Sequence, residues 1–136
     1  MSAGSRPIAL LGSTGSIGEQ TLDVVEAFPE RYRVSALAAG RNLDKLAEQV
    51  RRFRPELVAV AEPAGVEALR AKLGGVKTEI VPGPAGLEAV ATHEAELVVS
   101  ALVGAVGLAP TLAAIRAGRH IALADKEVMV TAGALV

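Results

Sequence analysis

The 136-residue sequence contains no cysteine and very few aromatic residues. Both features restrict what the protein can do. Without cysteine it can form no disulfide, no thiolate metal site and no cysteine nucleophile. Aromatic residues make up only 2% of the chain, which argues against a platform that stacks the bases of single-stranded nucleic acid. The 14 Lys and Arg nearly balance the 15 Asp and Glu, so the composition indicates no nucleic-acid partner and no anionic membrane surface.

Long apolar runs are also absent from the sequence. No stretch of about 18 apolar residues occurs, and residues 1–6 lack the apolar segment that a signal peptide needs. We therefore expect no membrane-spanning segment and a cytoplasmic location. Apolar residues nevertheless make up 51% of the chain, which is enough for a core. The length predicts one compact domain over residues 1–136.

Short apolar runs alternate with segments of helical periodicity along the chain. Glycine or proline stands at several of the transitions, where it ends a strand or stops a helix. A weak point is the Gly- and Pro-rich stretch 73–84, which surrounds a marginal strand. Strands are predicted at 8–11, 34–39, 57–60, 78–81, 97–102 and 121–123, and helices at 16–28, 43–53, 63–73, 85–91 and 108–117.

This alternation predicts an α/β fold with a doubly wound, mostly parallel sheet and helices on both faces, as in Rossmann-like domains. On the first helix, Ile17, Leu22, Val25 and Phe28 are expected to lie mainly on one face. A further apolar stretch begins at Met129 and continues to the last residue. Because this stretch starts another helix-like pattern, we expect the chain to be part of something longer.

A glycine-rich loop, Gly12 to Gly18, lies between the first predicted strand and the first predicted helix. In dinucleotide-binding loops, the first glycine permits a tight turn and the second lets the backbone approach a pyrophosphate. The third lets the helix pack closely on the strand. The N–H groups of the helix start near Ser16 would then face the phosphates. The spacing G-x-x-G-x-x-G is a variant of the common pattern, and an ordinary tight turn is the alternative, but its position favours nucleotide binding.

The end of the second predicted strand indicates which nucleotide is bound. A site that prefers NAD places a carboxylate there to accept a hydrogen bond from the ribose 2′-hydroxyl. This sequence has Gly40, Arg41 and Asn42 instead. The guanidinium of Arg41 suits a 2′-phosphate, which favours NADP over NAD. Alternatively, Arg41 is a solvated side chain and Asn42 only an N-cap.

Four segments together resemble one enzyme family, the 1-deoxy-D-xylulose 5-phosphate reductoisomerases. The resemblance covers essentially the whole chain, and the first and third segments are the specific ones. It identifies the chain as similar to the N-terminal cofactor domain of a longer enzyme. The segments are LGSTGSIGEQTLDVV at 11–25, ALAAGRN at 36–42, ALVGAVGLAPTLAAIRAG at 101–118 and IALADKE at 121–127.

The resemblance implies an oxidoreductase of non-mevalonate isoprenoid biosynthesis. In this family a divalent metal (Mg, Mn or Co) assists the rearrangement of a phosphorylated ketose, 1-deoxy-D-xylulose 5-phosphate. NADPH then reduces the product to 2-C-methyl-D-erythritol 4-phosphate. The resemblance also implies a homodimer for the full-length enzyme.

Residue roles follow from the same resemblance, position by position. Thr14, Gly15, Ser16 and Ile17 would hold the cofactor phosphates. The adenosine ribose and its 2′-phosphate would contact Gly40, Arg41 and Asn42. Near the nicotinamide, Asp125 and Glu127 would contribute to cofactor binding, and Lys126 would reach the phosphorylated sugar substrate. The family usually has Asn where this chain has Asp125, and an ionised Asp can accept but cannot donate a hydrogen bond.

Metal ligands and catalytic residues are not predicted for this chain. The family's metal-binding carboxylates lie in a later Asp-Ser-Glu segment, which does not occur here. His93 and His120 have no partners at ligand spacing, so we expect both to be structural. The chain alone is therefore predicted to be inactive. Two alternatives stay open: a free-standing nucleotide-binding module, and the cofactor domain of another NADP enzyme such as a semialdehyde dehydrogenase or dihydrodipicolinate reductase.

Overall fold

A parallel β-sheet forms the centre of the protein. The computed structural model describes residues 4–102 and 107–123, and within these ranges every strand pairing in the sheet is parallel. The described strands are β1 (Arg6–Leu11), β2 (Tyr32–Ala38), β3 (Leu57–Val60), β4 (Glu79–Pro82), β5 (Leu97–Ser100) and β6 (His120–Leu123).

Helices connect successive strands, as the alternating periodicity predicts. Most bounds agree with the sequence prediction to within two residues, and the doubly wound α/β fold is confirmed. The fourth helix starts two residues earlier than expected, because Pro84 is tolerated in a first helical turn. The described helices are α1 (Ser16–Ala27), α2 (Leu43–Phe53), α3 (Ala64–Leu73), α4 (Gly83–Thr92) and α5 (Leu108–Arg116).

The strand order β4-β3-β2-β1-β5-β6 places the reversal of the sheet between β1 and β5. From β1 the chain first winds outwards through β2 and β3 to β4. It then returns to the other side of β1 and continues through β5 to β6. Ligands of open α/β sheets bind at such a reversal, outside the carboxyl ends of the strands. The loop after β1 is therefore at the position where a ligand is expected.

The two faces of the sheet carry separate apolar clusters. On β1, Ile8 and Leu10 point to one face and Ala9 and Leu11 to the other. Residues of α1, α2 and α3 pack on the first face, and residues of α4 and α5 pack on the second. Because both faces are covered, the buried parts of the strands are mostly apolar and show no regular alternation with polar residues.

Small residues allow α4 to lie close to the second face. Gly86 of α4 sits over β3 and β4, and a Cβ on this residue would come 2.6 Å from the carbonyl oxygen of Val81 and 3.2 Å from the Cβ of Ala59. Any larger side chain at Gly86 would push the helix off the sheet. This close approach compensates for the small volume of the alanines that cover this face.

Two features of α1 differ from the sequence prediction. Ile17 and Phe28 are more than two-fifths exposed, whereas Leu22 and Val25 are buried. Of the four residues expected to lie mainly on one face, only Leu22 and Val25 are buried, and Phe28 is the C-cap residue beyond the end of α1. Ile17 instead lies in the first turn, beside the glycine loop. In the described ranges, no helix is long and apolar enough to span a bilayer.

Candidate nucleotide-binding site

Backbone hydrogen bonds tie the loop after β1 to its neighbouring strands. The N–H groups of Gly12 and Ser13 both donate to the carbonyl oxygen of Ala38, over 2.7 and 3.0 Å. On the other side, the N–H of Ala101 donates to the carbonyl oxygen of Leu11 over 2.8 Å. The loop is therefore fixed between the carboxyl ends of β2 and β5.

Two of the three loop glycines are required by the fold itself. Gly12 has a φ of +86°, and a Cβ there would lie 2.9 Å from the carbonyl oxygen of Ala101. At Gly18, a Cβ would lie 2.7 Å from the carbonyl oxygen of Ser13 and would also clash with the carbonyl oxygen of Gly12. All these atoms belong to the backbone and cannot rotate away. Gly12 makes the turn, and Gly18 lets α1 pack against the loop.

Gly15 differs from both, because nothing in its surroundings excludes a side chain. Its φ of −79° and ψ of 173° are ordinary extended values. A Cβ would meet only the carbonyl oxygen of Gly12, at an unstrained 3.8 Å. The space that a side chain at this position would occupy is open and faces solvent. The fold therefore gives no reason for a glycine here.

Gly15 is also the N-cap of α1, so the cap position has no side chain that could accept a hydrogen bond. The first intrahelical bond runs from the N–H of Glu19 to the carbonyl oxygen of Gly15, over 2.9 Å. The N–H groups of the preceding turn, beginning at Ser16, have no intrahelical acceptor. Together with the helix dipole, they give the exposed start of α1 a positive potential that suits a phosphate.

Arg41 and Asn42 stand between β2 and α2, beyond the carboxyl end of the sheet. Asn42 caps α2, since its Oδ1 accepts from the N–H of Lys45 over 3.2 Å. The guanidinium of Arg41 is largely exposed, and its Nη2 donates to Oε1 of Glu62 over 2.9 Å. Arg41 thus has a partner from the next strand end, which the sequence analysis did not foresee.

A cleft of about 260 Å³ lies between the loops that follow β2 and β3. Gly40 and Arg41 form one side, and Glu62 and the first turns of α3 form the other. Small residues keep it open: Ala61, Ala64, Gly65 and Ala68 line it together with Leu43. The cleft offers a mostly apolar surface with one cationic and one anionic group at its rim.

Gln49 is a polar residue that the sequence analysis passed over. It lies on the inner side of α2 among Leu46, Ala47 and Val50, and it is only 3% exposed. Its Nε2 donates to the carbonyl oxygen of Ser13 over 2.9 Å. A glutamine on an otherwise apolar helix face is the signal that could have indicated such a buried contact.

Ion pairs connect α2 to α1 and to α3. Lys45 of α2 pairs with Glu19 of α1 at 2.8 Å, close to the glycine loop. Asp44 accepts from Lys72 of α3, and this hydrogen bond and the charge of Lys72 hold the pKa of the Asp44 carboxyl below its usual range. These pairs link the three helices that cover one face of the sheet, and none of the four residues lines the cleft.

The structure brings the first two groups of predicted residues to the same edge of the sheet. Thr14 to Ile17 follow β1, and Gly40 to Asn42 follow the adjacent strand β2. Asp125, Lys126 and Glu127 lie outside the described residues. Among residues 4–102 and 107–123, no three His, Cys, Asp or Glu are placed to hold a metal ion.

The sheet order, the glycine loop at its reversal and the cleft beside it define the chain as a Rossmann-like α/β protein. The sequence model of the 1-deoxy-D-xylulose 5-phosphate reductoisomerases matches residues 8–133. The chain belongs to this family. A reductoisomerase from Symbiobacterium thermophilum is 56% identical over 134 residues, which cover 95% of this chain and 35% of that protein.

Solved structures agree with this assignment. The reductoisomerase from Zymomonas mobilis in complex with NADPH superposes with a TM-score of 0.90 at 40% identity, over 96% of this chain and 35% of that one. A reductoisomerase in complex with NADPH, fosmidomycin and magnesium gives 0.88 at 41% identity, over 94% and 32%. The chain spans about a third of the length of the curated relatives it matches.

Proposed function

We propose that this chain binds NADPH at the carboxyl edge of its sheet, as the cofactor-binding part of a longer reductoisomerase. The observation that carries the proposal is Gly15. It is a glycine that the fold does not require, it stands at the uncapped start of α1, and the space beside it is open. A pyrophosphate in that space explains why a side chain is absent there.

The pyrophosphate would be held by Thr14, Gly15, Ser16 and Ile17. Backbone N–H groups at the start of α1 donate to its oxygens, and the helix dipole favours its charge. The exposed Ile17 would shield one side of the bound dinucleotide from water. Ile17 is 44% exposed and is therefore accessible for this contact.

The adenosine end would occupy the cleft beside β2. Gly40, Arg41 and Asn42 would contact the ribose and its 2′-phosphate, with the guanidinium of Arg41 supplying a charge-assisted pair. The apolar walls of the cleft suit the face of an adenine ring. Since the end of β2 carries no carboxylate, these residues favour NADPH over NADH.

The rest of the proposal concerns the longer protein. Asp125 and Glu127 would border the nicotinamide and Lys126 would reach the phosphorylated sugar. NADPH supplies a hydride to the rearranged substrate, and a divalent metal would be held by residues that this sequence does not contain. The family name supports a phosphorylated ketose as substrate. A homodimer and a cytoplasmic location complete the proposal.

Calorimetric titration of the folded chain with NADPH, NADP⁺ and NADH tests the cofactor assignment. We expect one site with tighter binding of the two 2′-phosphorylated forms. The difference should shrink as salt is added, because screening weakens the contact between Arg41 and the phosphate. Equal affinities for NADPH and NADH at low salt would contradict the assignment of the 2′-phosphate to Arg41. A folded chain that binds neither would contradict the proposal as a whole.

A further inference from the structure

Glu62 places a carboxylate directly opposite the guanidinium that we assign to the 2′-phosphate. It follows β3 by two residues, and its Oε1 accepts from Nη2 of Arg41 over 2.9 Å. Of the residues that line the cleft, these two are the charged ones. Anything bound to Arg41 in the cleft therefore lies within a few ångströms of a negative charge.

We propose that Glu62 is a specificity-determining residue that weakens the preference of this site for NADPH over NADH. Its carboxylate repels a 2′-phosphate, and it provides the acceptor that a 2′-hydroxyl needs. Sites that prefer NAD place such an acceptor at the end of the second strand. Here the end of β2 has none, and the carboxylate comes from the neighbouring strand end, across the cleft.

The ion pair with Glu62 does not prevent Arg41 from binding a phosphate. The side chains of Arg41 and Glu62 are 84% and 59% exposed, and pairs between such exposed groups are weak. The guanidinium has further N–H donors besides the one that Glu62 uses. Arg41 can therefore contact the phosphate and Glu62 together, so the carboxylate remains beside the phosphate as a repelling charge.

The inference rests on the proposed function, because it assumes that the cleft receives the adenosine ribose. The test is Glu62→Gln, which keeps the shape of the side chain and removes its charge. Repulsion of a doubly charged phosphate at roughly 6–8 Å through water predicts about three- to tenfold tighter NADPH binding. NADH binding should stay equal or weaken, so the ratio of the two dissociation constants rises.

Glu67→Gln is the matched control. Glu67 is also exposed and lies in the first turn of α3, but it does not line the cleft. The Glu67→Gln substitution removes the same charge as Glu62→Gln, and it should change the dissociation constants of NADPH and NADH very little. The gain in Glu62→Gln should also nearly vanish at 1 M salt, where the screening length falls to about 3 Å. A merely structural role for Glu62 would show no such salt dependence.

The outcomes separate this inference from the proposed function. If the parent chain binds NADPH and Glu62→Gln leaves the NADPH to NADH ratio unchanged, the inference is wrong while the proposed function stands. Weaker NADPH binding by the folded variant would also overturn it, since Glu62 would then be holding Arg41 in position. If the folded parent chain binds neither dinucleotide, both are wrong.

Discussion

The side-chain amide of Gln49 donates to the carbonyl oxygen of Ser13 over 2.9 Å and so connects α2 to the glycine loop. Both residues are buried, and they are 36 positions apart in the sequence. The start of α2 carries the residues assigned to the 2′-phosphate, and the loop carries those assigned to the pyrophosphate. This hydrogen bond therefore adds a side-chain connection between the two halves of the proposed cofactor site, besides the backbone bonds to Ala38.

Replacing Gln49 by Leu should weaken NADPH binding more than it weakens the fold. The change leaves the carbonyl of Ser13 without its side-chain donor, but it also removes Oε1 of Gln49, which has no partner among the described residues. We expect a loss of about 1 kcal/mol in the free energy of unfolding. Adenosine 2′-monophosphate lacks the 5′-phosphate and reaches only the Arg41 end, so it should bind nearly as before. Calorimetry with both ligands checks this, and an equal loss for both would contradict it.

The glycines at positions 15 and 18 should respond in opposite ways to substitution by alanine. Gly18→Ala forces a Cβ against the backbone of Ser13, so we expect a destabilisation of about 1–3 kcal/mol. Gly15→Ala should leave the melting temperature nearly unchanged and should abolish NADPH binding. Thermal unfolding and NADPH titration of both variants provide the measurements. Unaltered NADPH affinity in Gly15→Ala would mean that the loop is an ordinary tight turn with no role in nucleotide binding.

Arg41→Ala should remove most of the discrimination between NADPH and NADH. A charge-assisted hydrogen bond contributes about 1.5–3 kcal/mol, so the ratio of dissociation constants should fall by about tenfold or more. Arg70→Ala is the control, because Arg70 is an exposed arginine of α3 that does not line the cleft. If both variants lose the same amount of discrimination, the net charge of the protein sets the preference for NADPH over NADH and no specific contact does.

The ion pair of Asp44 and Lys72 should make the stability of the chain depend on pH in acidic solution. Because the folded chain holds the pKa of Asp44 below the ordinary value of 3.8, the stabilisation is fully present above that pH. It is lost as the pH falls through the lowered pKa. Asp44→Asn should therefore lower the melting temperature slightly at pH 7, and this difference should shrink as the pH falls below 3.8. In a Lys72→Met background, the effect at pH 7 should become smaller.

The 136-residue chain alone should show no metal-dependent oxidation of NADPH in the presence of 1-deoxy-D-xylulose 5-phosphate and Mn²⁺. The rearrangement needs a metal that polarises the oxygens of the substrate. The sequence lacks the Asp-Ser-Glu segment that supplies the ligands in the family. Loss of NADPH absorbance is the readout, and turnover by the pure chain would show that the metal site has been misplaced.

The order of strands and helices and the position of the glycine loop can be read from the amino-acid sequence. These features depend on residues that are close in the chain. The apolar run of β1 ends at Gly12, and the helical spacing that follows is readable without knowing any neighbour. The lack of an Asp or Glu directly after β2 can also be read from neighbouring positions in the sequence. These observations, with the family resemblance, were sufficient to predict the fold and to propose NADPH as the cofactor.

Which distant residues meet at the site depends on how the chain folds in three dimensions. The return of the chain from β4 to the far side of β1 places Ala101 against Gly12, and the packing of α2 buries Gln49 under the loop. The adjacency of β2 and β3 likewise brings Glu62 to Arg41. None of these contacts leaves a periodic pattern in the sequence, because each is set by the strand order and by how closely the helices pack on the sheet.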